Sequence, residues 1–204
     1  MTAATWSTLP NWRFRLVRRD TRSVITCVFL GLTITVMLQI IERIDLALTG
    51  GSIPIIASMV VVAIWVPASA FYGLTGALIT AWINPLISNL TASQPMAPFL
   101  FFTNAAHTIP IVLLVWALKP RSRGLRLWEF LAIAQVGALA DAAVFGLGNH
   151  VIMHLPSGFI VFQALAMQPC ALAGGFITYV MMRRLLKTGL VETARWGSDA
   201  EEPV

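Results

Sequence analysis

A carboxylate sits inside an otherwise apolar run. Asp141 lies about 14 residues into the stretch 127–147, roughly 21 Å along a helix at 1.5 Å per residue. Holding an ionisable group at that depth in lipid costs on the order of a few kcal/mol unless it is paired or hydrated, so such a residue reads by default as part of a functional site. The alternative is an internal hydrogen-bonding or capping role. Other polar side chains fall at a similar depth in neighbouring apolar runs. Asn104 and His107 are three residues apart and share a helix face. Gln163 and Gln168 lie in the last apolar run, Asn84 precedes Pro85 with Trp82 close by, and Asn149 and His150 end the run that holds Asp141. Polar groups at one depth on several helices predict a cavity open to one side of the membrane. The opposite halves of the same runs hold fewer, chiefly Gln135 and Thr178.

Each of these residues also has a plainer role. A single Asn or Gln in a membrane helix often only ties helices together. His107 alone reads as a satisfied buried histidine, His150 and His154 as solvated loop residues, and Trp82 as an interfacial residue. Pro110 and Pro169 each remove a backbone hydrogen bond. The freed carbonyls can line a polar space, or the prolines can simply bend their helices. No His-Glu-x-x-His, Gly-x-Ser-x-Gly or Walker A sequence occurs, and Ser157, imaginable as a nucleophile with His107 as base, lacks an elbow signature. Neither an enzyme, a catalytic residue nor a cofactor is expected. Cys27 and Cys170 fall at different depths and have no metal-ligand spacing, so neither a disulfide nor a metal site is expected.

Six apolar runs position these residues. The spacing predicts helices over 23–41, 53–66, 68–87, 99–118, 127–147 and 158–182, with Pro54 in a first helical turn and a tight connection at Pro67 between the second and third. Polar loops are expected at 42–52 and 88–98. Apolar residues are 57% of the 204, and charged residues 11%, outside the usual range of soluble domains. The result is an all-α membrane protein, six transmembrane helices in one compact bundle. A basic segment, 1–22, precedes the membrane domain 23–187, and a polar tail, 188–204, follows it. The segment 23–41 is long for a signal peptide and ends in Glu42, Arg43 and Asp45 rather than a small-residue cleavage site, so it reads as a retained first helix.

The charges give orientation. Thirteen of the fourteen Lys and Arg residues lie at three places: Arg13 to Arg22, Lys119 to Arg126, and Arg183 to Arg195. Six crossings put all three clusters on one side, and Lys and Arg flanking membrane helices stay in the cytoplasm. Both termini are therefore expected inside a bacterial inner membrane. Trp116 and Trp128 flank the middle cluster as an aromatic belt would. The net charge of +5 is juxtamembrane, which points to the bilayer rather than to nucleic acid.

In the first run Cys27, Gly31 and Thr35 recur at four-residue spacing, a small-residue stripe suited to close helix packing, within the bundle or against another subunit. The stretch 68–104, with Tyr72-Gly73, Gly76-Ala77, Asn84-Pro85 and the segment from Pro98 to Asn104, resembles the middle section of the substrate-binding S components of energy-coupling factor transporters, the bacterial vitamin importers. The resemblance covers about residues 20–187 and is one of topology and texture. It implies capture of a small vitamin or vitamin precursor from the outer side, with loops 42–52 and 88–98 closing over it. A membrane scaffold (T) subunit, docked on the Cys27, Gly31 and Thr35 stripe, and two ATPase subunits would drive release. Asp141 would face a cationic or donor-rich part of the ligand. Asn84, Asn104, His107, Gln163 and Gln168 would hydrogen-bond it, and Trp82 would stack on it. Two other readings fit the residues: a self-sufficient secondary transporter with His107 and Asp141 relaying protons, and a non-transport scaffold of a cell-envelope complex.

Overall fold

The computed structural model describes residues 16–49, 54–90, 98–118 and 126–187. These form five α-helices: α1 (Thr21–Thr49), α2 (Ile55–Leu90), α3 (Leu100–Leu118), α4 (Leu127–Val151) and α5 (Ser157–Lys187). Each is long and apolar enough to cross a membrane. Large apolar side chains such as Phe29, Val36, Leu113 and Phe162 face outward, as lipid contact requires. The chain thus has the architecture of a multi-pass helical membrane protein. Arg13, Arg15, Lys119, Arg121, Arg123, Arg195 and the tail 188–204 lie outside the described residues.

Where the sequence predicts two helices parted at Pro67, the structure has one element, α2, that runs through Pro67 and folds at Gly73. The backbone explains the difference. A proline costs a helix one hydrogen bond and bends it, which membrane helices tolerate. Reversing direction within one residue needs a positive φ with an extended ψ, and Gly73 has φ 59° and ψ −142°, a region reached cheaply by glycine alone. The two arms, 55–72 and 74–90, fold back on each other. A Cβ on Gly76 would lie 2.2 Å from the carbonyl oxygen of Ala68, and Pro54 and Asn84, near opposite ends of the sequence of α2, line the same cavity.

A strap from the N-terminal segment holds the bend. The Leu74 N–H donates to the Leu16 carbonyl at 2.7 Å. The Arg18 N–H donates to Thr75 Oγ1 at 3.0 Å, and the Thr75 hydroxyl donates to the Arg18 carbonyl at 2.6 Å. Asp20 then caps α1, accepting the Ser23 N–H at 2.9 Å. Partial burial raises the Asp20 carboxyl, but the hydrogen bonds from Ser23, with Arg18 nearby, outweigh it and hold the group below its ordinary 3.8.

The first helix also departs from expectation. α1 continues two turns past residue 41, because Glu42, Arg43 and Asp45 interrupt the apolar run without breaking the helix. No Gly or Pro occurs between Gly31 and Gly50. Its small-residue stripe is not a free docking face. Cys27, Gly31 and Thr35 are buried, a Cβ on Gly31 would meet Ile83 Cδ1 at 2.5 Å, and the Thr35 hydroxyl donates to the Gly31 carbonyl at 2.8 Å. The stripe lets α1 approach the second arm of α2, the internal use of such spacing.

The main core joins the first arm of α2 to α3, α4 and α5 at one end of the bundle. Val62, Val66 and Ala70 pack with Ile111 and Val115 of α3, Phe130 and Ala134 of α4, and Met182 of α5. Gly174 and Gly175 bring α5 in: a Cβ would lie 2.9 Å from the Met59 carbonyl at the first and 2.9 Å from Ala134 Cβ at the second. This is the end where the described basic residues Arg18, Arg126 and Arg183 lie. The opposite end of the bundle is hollow.

Candidate binding site

A cavity of about 620 Å³ opens among the last turns of α1, both outer ends of α2, the first turns of α3 and α5 and the later part of α4, a size typical of small-molecule sites. All of these segments lie at the ends remote from the basic clusters. Leu38, Val61, Leu100, Phe145 and Met167 give it an apolar body. Among the described residues its polar lining consists of Glu42, Asp45, Ser58, Trp65, Asn84, Thr103, Asn104, Asp141 and Gln163, with no Lys or Arg.

Asp141 is placed by close contact of α3 and α4. Gly137, one turn earlier, has no side chain, and a Cβ there would fall 2.8 Å from His107 Cδ2. The His107 ring therefore reaches Asp141, with Nδ1 3.2 Å from Oδ2. With Asp141 ionised, Nδ1 carries the proton of that hydrogen bond. His107 itself is 2% exposed and lies behind the cavity wall, its ring edge-on to Trp65 at a centroid distance of 5.0 Å. It positions Asp141 and backs Trp65. Its Nε2 is buried with no partner among the described residues.

Asn104 and Gln163 line the cavity but spend part of their hydrogen-bonding capacity on the protein. Asn104 Nδ2 donates to the Ala81 carbonyl at 2.7 Å, tying α3 to the second arm of α2. Gln163 Oε1 accepts from Asn149 Nδ2 at 3.1 Å, tying α5 to α4. Asn84 is 5% exposed, and its Oδ1 has no partner among the described residues. Trp65 Nε1 is in the same condition on a ring 3% exposed. Buried polar atoms are ordinarily paired, so two orphans lining one cavity mark it as a place where something else supplies the partners.

Three of the expected binding residues do not line the cavity: His107 lies behind its wall, and Trp82 and Gln168 are elsewhere. Trp82 is exposed on the outside of the bundle, its Nε1 donating to the Phe101 carbonyl at 3.1 Å and its ring edge-on to Phe101. Gln168 pairs with Gln135 across α5 and α4 and donates to the Ala164 carbonyl at 2.8 Å. It is interhelical glue, and Gln135 lies at its depth rather than in a separate inner half. Ser157 is exposed while His107 is buried, so they make no nucleophile and base pair. The expected lid residues 50–52 and 91–97 lie outside the described residues, and the first part of the expected 42–52 loop is helix.

The cavity also contains groups that the depth argument missed. Glu42 and Asp45, three residues apart on the extended α1, both line it. Asp45 is 3% exposed and accepts the Ile56 N–H at Oδ1 and the Ala57 N–H at Oδ2, both at 2.9 Å. It caps α2 from another helix, because Pro54 offers no side-chain acceptor, and its charge meets the positive end of the helix dipole. Glu42 stands exposed at the cavity mouth. Nothing in the apolar run around Trp65 marks that residue in the sequence.

Compared with protein-family models, curated proteins and solved structures, the chain matches none. The site is therefore interpreted from its own chemistry.

Proposed function

We propose that the chain is the membrane-embedded substrate-capture subunit of an ATP-driven importer, working as S components do, and that it takes a small vitamin-like solute from outside the cell. The observation that carries this reading is the hollow end itself: one solute-sized, partly polar cavity at the helix ends opposite the basic clusters. If those clusters face the cytoplasm, the cavity faces outward. The arms of α2 are about 18 and 17 residues long, roughly 27 and 25 Å at 1.5 Å per residue. Each is close to the thickness of a bilayer core. Counted separately they give six crossings, with both termini inside. The chain has no nucleotide-binding motif, so energy comes from ATPase subunits through a membrane scaffold. The buried stripe on α1 leaves that scaffold a different face to dock on.

The test is purification from native membranes. Co-purification of two ATPase subunits with the chain, together with ATP-dependent uptake by the reconstituted complex, is the expected result. A reporter after Lys119 should be reached only from the cytoplasmic side; labelling there from outside would overturn the orientation. The His107–Asp141 pair behind the cavity favours one competing reading, a proton-coupled transporter. Uptake by the purified chain alone in liposomes, driven by a pH gradient without ATP, would establish that reading instead.

A further inference from the structure

We propose that the ligand of this cavity is an organic cation that carries N–H donors, a protonated amine or amidine on an apolar or aromatic body. The proposal deepens the capture reading and rests on it. Among the described residues, three carboxylates line the cavity and no basic side chain does. They are not equivalent. Asp45 is committed to the first turn of α2. Asp141 has Oδ2 on His107, and Glu42 stands at the mouth. The cavity therefore offers carboxyl groups at its entrance and on its α4 wall, in surroundings where an unpaired charge is costly. An anionic solute would add to that cost, and a cation relieves it.

The second observation is independent of charge. Asn84 Oδ1, on a side chain 5% exposed, is a buried acceptor on the cavity wall with no partner among the described residues. An acceptor in that position calls for a donor on the ligand, which separates a protonated amine or amidine from a quaternary ammonium. Trp65 adds an aromatic surface, which attracts cations, and an unpartnered Nε1–H that suits one acceptor elsewhere on the solute. Leu38, Val61, Phe145 and Met167 complete an apolar body far larger than a bare ion needs. Among the described residues no group of three His, Cys, Asp or Glu side chains could hold a metal, so the cation is organic.

The test uses four probes of similar size on the purified chain in detergent or nanodiscs: benzamidinium, its neutral analogue benzamide, benzyltrimethylammonium and benzoate. Ligand-dependent melting gives an apparent affinity for each. Benzamidinium should bind at least tenfold more tightly than benzamide or benzyltrimethylammonium, and benzoate should bind least. Asp141→Asn should erase most of the preference for charge. Glu42→Gln, at a position exposed to solvent, should reduce it without altering the melting of the free protein. Asn84→Leu should narrow the gap between benzamidinium and benzyltrimethylammonium. Benzamide or benzoate binding as well as benzamidinium would overturn the ligand class. Mass spectrometry of whatever co-purifies separates the two levels. A neutral or anionic solute refutes the class and leaves capture standing, a cationic one supports both, and the absence of any solute together with silence from all four probes refutes both.

Discussion

Replacing Gly73 by Ala tests the feature on which the whole topology turns. At φ 59° and ψ −142° an alanine is strained by about 1–3 kcal/mol. The substitution also stiffens the unfolded chain, which returns about 0.4–1 kcal/mol. The expected net loss is about 1–2 kcal/mol, or roughly 3–8 °C in melting temperature for a chain of this length. Gly76→Ala should cost more, since its Cβ would lie 2.2 Å from a backbone oxygen, Ala68 O, and no rotamer can move that atom aside. The arms must part, at about 3 kcal/mol or more. Gly158→Ala is the control: nothing lies within 4 Å of its would-be Cβ, and a better helix former there should leave stability unchanged or raise it slightly. Thermal unfolding in one detergent, followed by circular dichroism, should rank Gly158→Ala at or above wild type, then Gly73→Ala, then Gly76→Ala. If Gly73→Ala melts with Gly158→Ala, α2 does not reverse at a glycine-only conformation, and the antiparallel arms are wrong.

Asp45→Ala should lower stability by about 3 kcal/mol or more, since it strands two N–H groups that now make charge-assisted hydrogen bonds; Asp45→Asn, which keeps one acceptor, should recover part of the loss in the same melting assay. Asp20→Asn should cost little at neutral pH, because the cap is near the surface. A carboxyl held below 3.8 in the folded chain contributes stability above that value and loses it as pH falls through the folded value. Melting curves of wild type and Asp20→Asn should therefore converge below about pH 3.8. Gln168→Leu alone should destabilise by leaving Gln135 unpaired, while the double change with Gln135→Leu should be nearly neutral. Neither should alter ligand affinity, and a loss of binding in the double variant would return Gln168 to the site.

The sequence carried much of this architecture, and its misses have one physical cause. Depth along the helices was legible. Asp141, Asn104, Asn84 and Gln163 do line one cavity. Direction around each helix was the neglected coordinate. At about 100° per residue, Trp82 and Asn84 point about 200° apart, and Gln163 and Gln168 about 140° apart. Only one of each pair could face inward. The burial of Asn84 and Gln163 shows which did. The α1 carboxylates lie past the end of the apolar run, which is not the end of the helix, since no breaker stands between Gly31 and Gly50. Propensity alone predicts the break in α2 at Pro67, because proline is the stronger helix breaker. A reversal depends instead on the backbone freedom of Gly73, which single-residue propensity does not weigh.

The Asp45 cap has a consequence for traffic. A solute slipping between the tops of α1 and α2 would have to pull the carboxylate off two amide protons and leave them bare beside lipid. One passing Leu100 at the start of α3, also on the cavity wall, disturbs neither bond. If the cavity captures a solute as proposed, the corner of α1 and α2 is the fixed jamb of its doorway and any moving part lies on the other side.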